Sequence, residues 1–134
     1  MKRAPARGKR RGSARATFET VRQIARTLPG AEEGTCFGTP AFRVRGKLFA
    51  RLREDGETLV VKIDFDEREL LMEAEPKSFF ITDHYRNYPT MLVRLPVVHP
   101  DALRALVEES WRRSASKRLI EAFDRRTGAK GDSQ

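Results

Sequence analysis

Apolar residues recur at helical spacing early in the chain, at Phe18, Val21, Ile24, Ala25 and Leu28. Thr17 and Thr20 offer capping hydroxyls ahead of this run and Pro29-Gly30 stops it, which predicts a first helix. Thr35-Cys36-Phe37 then reads as a short extended piece and Gly38-Thr39-Pro40 as a break. Ala41 to Val44 follows as a strand in which Phe42 and Val44 alternate with Arg43 and Arg45. Strict alternation continues from Lys47 to Arg53, with Leu48, Ala50 and Leu52 on one face and Phe49, Arg51 and Arg53 on the other. Thr58 to Ile63 repeats it, opposing Leu59, Val61 and Ile63 to Val60 and Lys62.

An Asp55-Gly56 turn between these two strands sets their register. It pairs Glu54 with Glu57, Leu52 with Leu59, Ala50 with Val61 and Leu48 with Ile63, so each residue of the apolar face meets another. Asp64 to Ala74 reads as a second helix, opened by the Asp66-x-x-Glu69 capping pattern and ended by Pro76. Phe79 to Ile81 and Met91 to Leu95 are two further strands, separated by the polar and aromatic loop Asp83 to Pro89. Pro100 suits the first turn of a helix carrying Leu103, Leu106, Val107 and Trp111. Ser116 caps a last short helix bearing Leu119, Ile120 and Phe123, which Thr127-Gly128 stops. The order α-β3-α-β2-α implies a two-layer α+β domain, one antiparallel sheet with its helices gathered on one face.

Composition narrows the chemistry. At 134 residues and 39% hydrophobic, the chain supports one domain with one core. Its longest apolar runs are a few residues, against the roughly 18 that a membrane-spanning helix needs, so no membrane segment is expected. A single cysteine, Cys36, excludes an internal disulfide and any Cys-rich zinc module. Two histidines, His84 and His99, do not make a metal cage, and the Gly-rich phosphate loops of nucleotide enzymes are absent, so neither metal nor cofactor is expected.

Charge is distributed unevenly. Residues 1–16 hold Lys2, Arg3, Arg7, Lys9, Arg10, Arg11 and Arg15 and no acid, so this segment carries +7 of the net +8 and the remainder is nearly neutral. Without a large apolar side chain after Met1, the segment cannot offset the entropy of ordering and reads as a disordered basic arm. It lacks the apolar stretch of a secretory signal. Its direct physical use is attraction to polyanions, nucleic acid first; the plainer alternative is a solubilising tail. The expected division is an arm at 1–16, one domain at 17–127 and a disordered tail at 128–134 in a cytoplasmic protein.

Within the body, the alternation puts Phe49 among Arg43, Arg51, Arg53 and Lys62 on the face away from the core. A ring among cations on an open sheet face is a workable nucleic-acid platform, since guanidinium groups reach phosphates while the ring stacks on an unpaired base. The plainer alternative is a half-solvated antiparallel face. The loop Asp83 to Pro89 gathers one His, two Tyr, one Arg and one Asn, types that hydrogen-bond phosphates, bases or peptides. His84 has no evident nucleophile beside it in sequence, and Cys36 sits where a small buried thiol fits. Arg112, Arg113, Lys117 and Arg118 form a second cationic cluster around Trp111, whose indole reads as core. No nucleophile, base and orienter can be grouped, so no catalytic residue is assigned and a non-enzymatic role is expected.

The segments Leu28-Pro29-Gly30-Ala31-Glu32-Glu33, Phe37-Gly38-Thr39-Pro40-Ala41-Phe42 and Gly46-Lys47-Leu48-Phe49-Ala50 resemble the N-terminal signature of the MmcQ/YjbR family. Tyr88 to Leu95, Ser110-Trp111-Arg112-Arg113 and Lys117-Arg118-Leu119 look like its C-terminal half, so the resemblance covers about residues 17 to 124. It implies an α+β domain of the YjbR-like type, akin to secretion-chaperone-like and CyaY-like folds. It further implies DNA binding through a double-wing arrangement, with no established enzyme activity or cofactor. Ser116 stands where many relatives would have proline. The resulting expectation is a protein that contacts DNA phosphates through the arm, and through the cationic sheet face, largely independently of sequence. A module that holds a protein or peptide partner on the same fold is the alternative.

Overall fold

A computed structural model describes residues 15–128. Within them the elements run α1 (Phe18–Ala25), β1 (Ala31–Cys36), β2 (Thr39–Val44), β3 (Lys47–Leu52), β4 (Thr58–Lys62), α2 (Phe65–Ala74), β5 (Phe79–Phe80), β6 (Thr90–Arg94), α3 (Pro100–Ser114) and α4 (Lys117–Thr127). A 3₁₀ turn, Asp83–Tyr85, lies between β5 and β6. The six strands form one antiparallel sheet in the order β1-β2-β3-β4-β6-β5, so the α+β architecture is the one anticipated.

One strand was only partly legible. β1 is an edge strand whose central residues Glu32 to Thr35 face water, and it lacks the apolar alternation that marks a buried strand. The expected break after Phe37 is a two-residue hairpin turn: Phe37 and Gly38 both take positive φ, 54° and 82°, and Cys36 pairs with Thr39. Arg22 of α1 ties this edge down, donating to both Glu33 carboxylate oxygens at 2.9 and 2.8 Å. Cys36 is half-exposed rather than buried, because it ends the edge strand.

The β3–β4 hairpin has the expected register, Leu52 opposite Leu59 and Ala50 opposite Val61. Its turn closes one pair earlier than anticipated. Arg53 N donates to Thr58 O at 2.8 Å, and the Asp55 carboxylate gathers Glu57 N, Thr58 N and Thr58 Oγ1 at 2.9, 2.9 and 2.7 Å. Glu54 and Glu57 thus belong to the loop. Helix α2 has the expected bounds to within a residue, but its cap position is Asp64 and not Asp66; Asp66 and Glu67 occupy its first turn, where acids favour the helix dipole. The other caps match their sequence signals: Thr17 N donates to Thr20 Oγ1 at 3.1 Å and Leu119 N to Ser116 Oγ at 3.2 Å.

The main core joins α1, α3 and α4 to one face of the sheet, through residues such as Val21, Ile24, Leu103, Trp111 and Phe123 against Val44, Leu59, Val61 and Met91. Trp111 is fully buried, as anticipated, and its Nε1 donates to Pro29 O at 3.0 Å. Arg112 binds α3 to α4 through Asp124 at 2.6 Å. Ala16 also enters the core, and Arg15 N and Ala16 N donate to Pro96 O and Leu95 O at 3.0 and 3.1 Å. These two residues, grouped with the arm on sequence, are bonded to the body. No helix of the described residues is long and apolar enough to cross a membrane.

Phe49 is the main correction. Phe42 pairs with Ala50 but Arg43 pairs with Leu48, so Phe49 is the extra residue of a β-bulge. The bulge turns Phe49 inward beside Ala50, leaving it 1% exposed with its ring 6.3 Å from that of Phe42. Leu48, expected in the core, is displaced to a half-buried position outside the main cluster. The opposite face is also less open than alternation suggested. Ala41, Arg51, Val60 and Leu92 lie in register across four strands, each exposed by 9% or less.

Candidate functional site

Lys62 ends β4, Arg113 lies in the last turn of α3, and residues 84 to 90 lead into β6. These three pieces, distant in sequence, border an open cleft of about 730 Å³ lined by Lys62, His84, Tyr85, Tyr88, Pro89, Thr90 and Arg113. Its size is that of a small-molecule or single-nucleotide pocket.

Two devices position its walls. Continuing the hairpin register by one step would set Lys62 opposite Phe49, but a hydroxyl from α3 stands between them. Lys62 N donates to Ser110 Oγ at 2.9 Å, and Ser110 Oγ donates to Phe49 O at 2.6 Å. The hydroxyl replaces a ladder bond and fastens the helix to the sheet beside the bulge. One turn on, Lys62 Nζ donates to Ser114 Oγ at 3.3 Å, so the lysine stem runs along the end of α3.

The second device is Arg68, the single buried residue of α2. Its Nη1 donates to Tyr85 O, Tyr88 O and Thr90 O at 3.3, 2.9 and 3.1 Å, and its Nη2 to Arg86 O at 3.1 Å. A planar fork of donors suits this task, since it meets several carbonyls of one curved segment at once. The segment therefore presents its rings in a fixed order. His84 meets Tyr85 edge-on at 4.7 Å and Tyr88 at 6.2 Å. The Tyr85 hydroxyl accepts from Arg51 Nη2 at 3.3 Å.

Electrostatically the cleft is cationic. Among the described residues, neither Lys62 nor Arg113 nor nearby Lys47 forms an ion pair, whereas Arg22, Arg51, Arg68, Arg86 and Arg112 all do. Burial, followed by the charges of Lys47 and Arg113, holds the Lys62 amine below the usual lysine pKa. An anion beside Lys62 would relieve that repulsion. Thr90 Oγ1, also in the lining, is a buried oxygen with no hydrogen-bond partner. Among the described residues no carboxylate lines the cleft to orient His84 as a base. Among the described residues no group of three or more His, Cys, Asp or Glu could hold a metal ion. The arrangement suits binding of an anion that carries a flat ring.

The platform anticipated on sequence is not assembled as a unit. Phe49 is core, Arg43 donates to Thr35 O at 3.0 Å near the β1 edge, and Arg53 is half-buried beside the hairpin turn. Arg51 is 9% exposed and engaged by Thr39 Oγ1, Tyr85 and Glu54. Of the platform residues only Lys62 lines the cleft, and Arg51 reaches its wall through the Tyr85 hydroxyl. Arg15 is exposed, and Lys2, Arg3, Arg7, Lys9, Arg10 and Arg11 lie outside the described residues. Arg113 and the loop rings were visible as separate signals, but nothing in the pattern joined them. Arg68 gave no sequence signal beyond a charge in the middle of a helix.

The sequence model of the YjbR family matches residues 26–113. Uncharacterized proteins of Mycobacterium tuberculosis (strain H37Rv) and Mycobacterium bovis are 40% identical over 53 residues, which is 40% of this chain and 41% of theirs. The crystal structure of a Deinococcus radiodurans protein with a DUF419 domain superposes with a TM-score of 0.66. It shares 22% identity and covers 81% of this chain and 88% of its own.

Proposed function

Because the chain belongs to the YjbR family, we propose that it is a non-enzymatic nucleic-acid-binding protein of that type. The observation that carries this reading is the cleft itself, where two cations that form no ion pair among the described residues face three rings of the 84–88 segment. Phosphate satisfies the cations and a base satisfies the rings. The basic residues from Lys2 to Arg11 add attraction to the phosphate backbone that is independent of sequence.

The test is fluorescence anisotropy of labelled oligonucleotides, single-stranded and duplex, across a salt series with the full chain. Two variants are compared with it: the cleft pair Lys62→Met with Arg113→Ala, and a chain in which the six cations from Lys2 to Arg11 are glutamine. The arm variant is expected to weaken binding and flatten the salt dependence while leaving measurable affinity. The cleft variant should lower the slope of log K against log salt by about 1.4, from ~0.7 per single-strand phosphate contact. A cleft variant that binds like the parent overturns this reading, and loss of all binding in the arm variant does the same.

A further inference from the structure

The geometry points to a single-stranded nucleic acid as the occupant, with its bases stacked along an aromatic track that runs from the cleft to an exposed ring at the tip of the β1–β2 hairpin, Phe37. This inference rests on the nucleic-acid reading and specifies its substrate class.

Phe37 is the least expected side chain on the surface. It is 87% exposed and holds φ at 54°, in a two-residue turn where asparagine or glycine sits without strain. A phenylalanine there incurs backbone strain and leaves a large apolar face in water, and it enters no apolar cluster in return. Its neighbour is functional in character: the Arg51 guanidinium lies 5.7 Å from the ring centroid. Arg51 also donates to Tyr85, so rings and guanidinium follow one another as Phe37, Arg51, Tyr85, His84 and Tyr88. The two ends of this series, Phe37 and Tyr88, are exposed by 87% and 56%. The exposed rings of this series, Phe37, His84 and Tyr88, are held in place by buried Arg51 and half-buried Tyr85 between them and flanked by Lys62 and Arg113, which form no ion pair among the described residues; they form the surface on which unpaired bases stack while phosphates follow the charge. A duplex cannot use it, because its bases are already stacked and a 730 Å³ concavity admits a base only once it has left the helix.

The experiment uses the full chain, an oligodeoxyadenylate and the blunt duplex of the same sequence. Phe37→Asn removes the ring and accepts positive φ, so the hairpin keeps its turn; Tyr88→Ala removes the other end of the track; Phe37→Trp restores a larger stacking face. Each loss variant is expected to lower single-strand affinity about tenfold with duplex affinity unchanged. Phe37→Trp should bind at least as well as the parent, with its tryptophan emission quenched by the strand. Single-strand affinity within about twofold of the parent in both loss variants overturns the track, since a stacked base contributes far more. Duplex binding as tight as single-strand binding overturns it too. In either case, continued sensitivity to the Lys62 and Arg113 substitutions leaves the broader nucleic-acid reading standing, whereas insensitivity removes that reading first.

Discussion

Replacing Arg68 by methionine is the most telling perturbation of this fold. The side chain is 4% exposed, and its guanidinium holds four carbonyls of residues 85 to 90 at 2.9 to 3.3 Å. Methionine fills a similar volume, so little of the effect comes from a cavity. Hydrogen bonds to a charged group contribute about 1.5–3 kcal/mol each, but four bonds from one head act as a unit and part of the loss is recovered when the carbonyls turn to water. A net destabilisation of about 3–5 kcal/mol follows, in line with breaking a buried charged contact. That is a large share of the roughly 5–15 kcal/mol available to a domain. Urea unfolding followed by far-UV circular dichroism measures it. Hydrogen exchange should show lost protection at Ile63, whose N–H donates to Pro89 O at 2.9 Å, and at Thr90. Arg68→Lys should recover only a minor part, because an ammonium cannot fork across four acceptors. A methionine variant within about 0.5 kcal/mol of the parent, the range of ordinary surface changes, would refute the claim that this arginine fastens the segment.

Two other outcomes follow from the same geometry. Ser110→Ala strips the half-buried Lys62 N–H and the buried Phe49 C=O of their shared partner and is expected to cost about 2–4 kcal/mol in urea unfolding; a loss below ~0.5 kcal/mol would mean the strands close and pair directly. Because burial first, then Lys47 and Arg113, lowers the Lys62 pKa, its charge is lost earlier as pH rises than that of an ordinary lysine. Affinity for oligodeoxyadenylate should therefore fall on the alkaline side, a fall that Lys62→Arg abolishes; an unchanged profile in Lys62→Arg would sink this assignment.

What was legible in the sequence depended on whether local signals agreed. The β3–β4 register could be read because turn residues and facing apolar positions gave the same answer, and Leu52 does face Leu59. Phe49 could not, because its direction is set by a bulge beside a serine 61 residues away, and periodicity assumes an unbroken pleat. β1 was obscured because an edge strand exposed at Glu32 and Glu33 carries no apolar repeat. The cleft was present in sequence as three unconnected hints: a lysine at a strand end, an arginine in a helix, and an aromatic loop. Arg68, which organises that loop, contradicts the pattern, since a core-facing arginine in α2 reads as a solvent-facing charge.

Ser110 fixes more than a pair of strands. With Arg113 three residues and Ser114 four residues further along α3, all three lie on one helical stripe facing the same strand end. Any slide of the helix along the sheet must first break both bonds to a hydroxyl that is 0% exposed, so the distance between Arg113 and Lys62 is set by that hydroxyl and does not drift by fractions of a turn. One wall of the cleft is thereby a rigid gauge. The opposite wall is fastened at its backbone by Arg68 and Ile63 and at Tyr85 by Arg51, and ends in exposed Tyr88, so accommodation of different occupants falls to that outer ring.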